Sequence, residues 1–106
     1  GPLGNYIHNN GKFLASAGMN NNATVTFYDL ELAAAFTTDG ATITVEHDLS
    51  GAGSINLYHA TTFTLGTDTY ASQVSVNQIS AYYLYSTSTL QGASEFYPFN
   101  VTGRYF

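Results

Sequence analysis

From Thr24 onward, hydrophobic and polar residues alternate with a period of two, in short runs separated by Gly, Asn, Asp and Ser. Such alternation sends successive side chains to opposite faces of a strand. Thr, Val, Ile, Tyr and Phe fill the runs, and these residue types suit a pleated, half-buried surface. No stretch keeps a 3.6-residue period long enough for a substantial helix. The best helical candidate is the short run 30–35, Leu-Glu-Leu-Ala-Ala-Ala, and a hairpin accounts for it better.

Asp39-Gly40 predicts a tight type I′ turn. Closing the chain there sets Phe36 opposite Ile43, Ala34 opposite Val45, Leu32 opposite His47 and Leu30 opposite Leu49. Opposed residues share a face, so Leu30, Leu32, Phe36, Ile43, Val45 and Leu49 fall on one side together. A slip of one residue would undo that agreement. A strand over 54–65 extends the hairpin to a meander, with Val45 beside Leu57. Further strands are expected over 70–76, 79–85 and 96–105, with a phase change near Asn77 that reads as a bulge or a change of sheet. Residues 5–23 read as an irregular lead-in and 86–94 as a Ser/Thr/Gly loop.

Six to eight short strands at close spacing predict an all-β fold: a single small antiparallel β-sandwich or jelly-roll-like domain, with a small barrel as the alternative. No repeat of twenty or more residues is visible, which argues against a solenoid. The opening Gly-Pro-Leu-Gly matches the remnant that a 3C-type protease leaves after tag removal. Residues 1–4 are therefore set aside as a cloning scar, and 5–106 are taken as one β domain excised from a longer protein.

Composition narrows the function classes. Charged residues are 8% of the chain and the net charge is −5, with Lys12 and Arg104 the sole Lys and Arg. Two isolated cations cannot displace counterions from phosphate, so nucleic acid is not an expected partner. No apolar run is long enough to span a bilayer, so membrane insertion is not expected either. The absence of cysteine excludes disulfides and thiolate metal sites. Nine Tyr and seven Phe, with few charges, argue against disorder.

The hairpin register places Glu31 opposite Asp48 on the outer face, with Asp29 and Glu46 nearby. Four carboxylates on one face repel one another, and Ca²⁺, which takes several oxygen ligands, would relieve that repulsion. Asp29, Glu31, Glu46 and Asp48 are thus the candidate metal ligands; a solvated acidic face is the plainer reading. Asp29 and Glu31 also have the spacing of an inverting glycosidase pair, as any acidic strand face does, and nothing raises one pKa above the other. His47 and His59 share the inward side but stand too far apart for one ion, and His8 has no companion. Ser/His/Asp and phosphate-loop spacings are missing, so no catalytic residue is assigned and the chain is read as a non-enzyme.

The most informative segment is Ser80-Ala81-Tyr82-Tyr83-Leu84-Tyr85, which puts Tyr82 and Leu84 on one face and Tyr83 and Tyr85 on the other. Phe96, Tyr97, Phe99 and Tyr105 continue the theme near the C-terminus. One small sandwich cannot hide aromatic rings on both faces of a strand. These seven aromatic residues are therefore assigned to a binding or subunit interface, where such rings are enriched. The expected partner is a second copy of the chain; a glycan or cell-surface receptor stacked on the Tyr rings comes second. In its Gly/Thr/Ser/Asn/Tyr-rich, charge-poor, cysteine-free composition the chain resembles bacteriophage tail-fibre, tailspike and head-decoration modules. That resemblance carries over no functional residue. It implies a structural or receptor-binding module on a virion surface or another extracellular assembly. The alternatives are a carbohydrate-binding module of a secreted protein and a calcium-stabilised adhesin domain.

Overall fold

Hydrophobic residues recur at matching positions about twenty residues apart. Leu30 lies beside Leu49, Phe36 beside Ile55, Ile43 beside Phe63 and Val45 beside Leu65. In the computed structural model, which describes residues 2–81, 89–92 and 100–102, each of these pairs joins neighbouring parallel strands. The chain winds in coils, and each full coil lays one strand on each of three sheets.

The first coil supplies β1 (Lys12–Ala15), β2 (Met19–Asn21) and β3 (Val25–Phe27), and the second β4 (Asp29–Leu32), β5 (Phe36–Asp39) and β6 (Thr42–Val45). The third supplies β7 (Leu49–Ser50), β8 (Ser54–Tyr58) and β9 (Thr62–Leu65). The fourth supplies β10 (Val74–Ser75), β11 (Gln78–Ala81) and β12 (Thr89–Gly92), and β13 (Asn100–Thr102) follows. Face A is β1-β4-β7-β10, face B is β2-β5-β8-β11-β13 and face C is β3-β6-β9-β12. Every pairing among them is parallel.

This is a three-sided parallel β-solenoid. It corrects the expectation of an antiparallel β-sandwich or jelly roll, and no closed barrel forms. It also corrects the argument against a solenoid. Parallel neighbours need a crossover of a dozen residues or more, and here the rest of each coil provides it.

The hairpin fails for a specific reason. Gly40 does turn the chain, at φ 71°, but β5 and β6 on either side of it belong to different faces. The turn is a corner. Leu30, Leu32, Phe36, Ile43, Val45 and Leu49 are all fully buried, as the hairpin required. Period-two alternation sends the same side chains inward in both arrangements, so it cannot choose between them. Leu30 and Leu49 are indeed neighbours, though in parallel; Val45 pairs with Leu65, and Leu57 with Thr38. The expected strand over 54–65 breaks into β8 and β9 at His59-Ala60, where both residues take left-handed φ values of 53° and 63°. The lead-in contains β1 and β2, and 70–76 shortens to β10.

Inward side chains stack into columns along the solenoid axis. One runs Met19, Phe36, Ile55, Ile79, and another Phe13, Leu30, Leu49, Val74. Burying each large side chain fully contributes about 1.5–3 kcal/mol. The first coil is covered by Leu3, which is buried, and by Tyr6, whose ring lies 5.4 Å from Phe13 and 5.5 Å from Phe27. Leu3 sits in the segment set aside as a tag remnant, and its side chain belongs to the core cluster.

Two corners between faces B and C carry buried polar groups. Asn21 donates Nδ2 to the Ala23 carbonyl and accepts the Ala23 N–H. The Thr61 hydroxyl donates to the Tyr58 carbonyl at 2.6 Å and accepts the Gly40 N–H at 3.1 Å. Buried hydroxyls and amides of this kind are tolerable because each finds a partner. Among the described residues, no helix is long and apolar enough to cross a membrane.

Candidate functional site

Tyr28-Asp29-Leu30 and His47-Asp48-Leu49 occupy the same corner, between faces C and A, one coil apart. Asp29 therefore lies over Asp48, and Asp48 over Gln73 of the next coil. One carboxylate oxygen of Asp29 accepts the Asp48 N–H at 2.9 Å and meets His47 Nδ1 at 2.8 Å. One oxygen of Asp48 accepts the Gln73 N–H at 3.0 Å and the Tyr70 hydroxyl at 2.8 Å. Each aspartate thus binds one backbone N–H and one ring donor from the coil that follows.

The rings themselves form a stack. His47 lies flat between Tyr28, at 4.5 Å and 4° from parallel, and Tyr70, at 4.3 Å and 15°. His8 also approaches Tyr28, at 5.7 Å and tilted by 48°, and bonds Glu46 through Nε2 at 2.6 Å. Contacts at these centroid distances contribute about 0.5–1.5 kcal/mol beyond area burial.

Partial burial works against charge on Asp29, but the Asp48 N–H, the His47 ring and more distant Lys12 outweigh it and hold the carboxyl below its ordinary value. The Tyr70 phenol is pushed up, first by its hydrogen bond to Asp48, then by desolvation and by the nearby negative charge of Asp48.

The four predicted carboxylates are not one cluster. Asp29 and Asp48 meet at the corner. Glu31 lies on face A beside Ser50, not Asp48, and pairs with Lys12 at 3.1 Å. Glu46 pairs with His8, which corrects the expectation that His8 has no companion. His47 and His59 are corner residues, not inward ones; His59 is exposed and pairs with Asp39 at 2.6 Å.

Asp29, His47 and Asp48 each place one donor atom within 4.8 Å of the others. One imidazole and two carboxylates suit a borderline transition metal better than Ca²⁺, which prefers an all-oxygen set. The donors facing inward are already occupied: His47 Nδ1 is spent on Asp29, and each aspartate bonds a backbone N–H. His47 also has the Nδ1–carboxylate orientation of a catalytic histidine. Among the described residues, however, no serine or threonine hydroxyl hydrogen-bonds to it. The arrangement is chemically a corner clamp.

Face C carries a second regularity that the sequence reading missed. Thr42 pairs with Thr62, and Thr26 with Thr44 and then Thr64, so threonines repeat along and across the sheet. The signal was present as Ala-Thr-Val-Thr-Phe, Ala-Thr-Ile-Thr-Val and Thr-Thr-Phe-Thr-Leu at 23–27, 41–45 and 61–65. The interface aromatics Tyr82, Tyr83, Tyr85, Phe96, Tyr97, Phe99 and Tyr105 lie outside the described residues. Compared with protein-family models, with curated proteins and with solved structures, the chain shows no match.

Proposed function

We propose that the chain is a non-enzymatic structural or receptor-binding module of a larger particle or surface assembly, acting as a rigid, self-associating segment. The observation that supports this most is the continuity of its ladders. On face B a single register position runs through Met19, Phe36, Ile55, Ile79 and Val101 without a break. In a solenoid each coil is covered only by its neighbours, so the structure is stiff along its axis and needs cover at its ends. Leu3 and Tyr6 cover the first coil. The aromatic-rich residues 82–85 and 96–99 are assigned to contact with a neighbouring copy.

The titratable groups of the corner fit this reading, because they bind one another and the backbone of adjacent coils. The test is solution mass under native conditions at tens of micromolar. A homo-oligomer that Tyr83→Ser weakens, with the circular dichroism unchanged, is the expected result. A wild-type monomer overturns the proposal, and an oligomer indifferent to Tyr83→Ser overturns the role given to the aromatic segment.

A further inference from the structure

Face C presents hydroxyls on a two-dimensional grid. Along each of its first three strands the pattern is Thr-x-Thr, at 24–26, 42–44 and 62–64, and the residue between faces the core. Down the sheet, Thr42 lies beside Thr62, and Thr26 beside Thr44, which in turn lies beside Thr64, without a bulge. Neighbouring strands stand about 4.8 Å apart, and alternate residues of one parallel strand about 6.6 Å apart. The grid is therefore fixed in both directions by the backbone.

Three more observations set this face apart. The segments β3, β6, β9 and β12 contain no charged residue, while face A carries Lys12 and Glu31. The hydroxyls of Thr26, Thr42, Thr44 and Thr62 have no hydrogen-bond partner among the described residues, and all four side chains are partly or fully exposed. Threonine is also stiff at χ1, so each hydroxyl and methyl keeps its place before any ligand arrives.

A rigid, uncharged grid of alternating methyls and hydroxyls complements a surface that is itself periodic. In hexagonal ice, water oxygens repeat at a spacing close to that between β-strands in one direction, and close to two residues of strand in another. We propose that face C binds the surface of ice crystals. The hydroxyls replace water at lattice positions while the methyls sit against the ordered layer. Each contact is weak, but contacts held rigidly in register act together, because the first fixes the effective concentration of the rest. Little side-chain entropy is lost on docking. This inference does not depend on the oligomer proposed above, since the grid lies within one chain.

The experiment is slow growth of ice from a solution of the full chain, with the protein in the ice fraction and the thermal hysteresis both measured. Wild type is expected to enter the ice, facet the crystals and depress the freezing point below the melting point. Thr44→Tyr, at the middle of the grid, is expected to lose all three effects. Asn20→Tyr, exposed on face B, keeps them. Melting curves check folding, and Thr64→Lys stands in should Thr44→Tyr not fold. Exclusion of wild type from ice to the extent of an ordinary globular protein overturns the proposal. So does a folded Thr44→Tyr or Thr64→Lys that partitions as wild type does.

Discussion

Asp29 shows how a single carboxylate joins two coils. Its oxygen takes the N–H of Asp48, a backbone donor, and orients the ring of His47. Despite partial burial, these donors favour the ionised form in the folded chain. The unfolded chain binds its proton first, near the ordinary value of 3.8, so this contribution is complete above that pH. It is lost as pH falls through the lower value of the folded state. Asp29→Asn is therefore expected to lower stability at neutral pH by about 1.5–3 kcal/mol, the range for a hydrogen bond to a charged group. It should also flatten the decline in acid; urea unfolding at pH 7 and at pH 3 measures both. An identical acid limb in the variant would show that other carboxylates govern the decline. The sequence placed Asp29 and Asp48 among four carboxylates of one face, but it set Glu31 opposite Asp48, whereas Glu31 lies beside Ser50. His8 with Glu46 was invisible to it, because 38 residues separate them and only the winding brings them together.

At the level of elements, the corners decide how strands meet. Gly51 and Gly53 follow β7 and press against the preceding coil. A Cβ at Gly51 would collide with the Leu32 carbonyl, and one at Gly53 with the Ala34 backbone. Gly53 also donates its N–H to Leu32 at 2.8 Å, so the segment cannot simply swing away. Gly53→Ala is expected to cost about 1–3 kcal/mol, as overpacking against backbone does, and thermal unfolding reads this directly. Strand identity was legible in the sequence: most of the expected runs contain a strand. Strand pairing was not. The coil lengthens from 17 residues between Met19 and Phe36 to 19 between Phe36 and Ile55 and 24 between Ile55 and Ile79. A search for a constant period passes over such a series. The repeated pieces were short: Tyr28-Asp29-Leu30 against His47-Asp48-Leu49, and the threonine-rich pentapeptides of face C.

For the molecule as a whole, the charge pattern takes on a new meaning. The acidic residues gathered on one sheet by the hairpin register are dispersed over a corner and face A, where Lys12, His8 and His47 answer them. The repulsion that called for Ca²⁺ is largely absent. EDTA is therefore expected to leave the melting temperature unchanged, and calcium to leave it unchanged as well. A tightly bound ion would raise it by mass action, so a calcium-dependent rise would restore the metal reading. The all-β class followed from residue types, whereas the parallel architecture followed from long-range register, which period-two alternation does not encode.

Since every coil offers the next one the same row of N–H and C=O groups, the molecule has a natural unit of length. Inserting or deleting one complete winding leaves every remaining strand on its own side and adds or removes a rung. Losing a third of a winding would instead rotate all later strands onto the wrong sheet and scatter the columns of the core. A body built in this way grows and shrinks in whole steps, with variation in size confined to its corners.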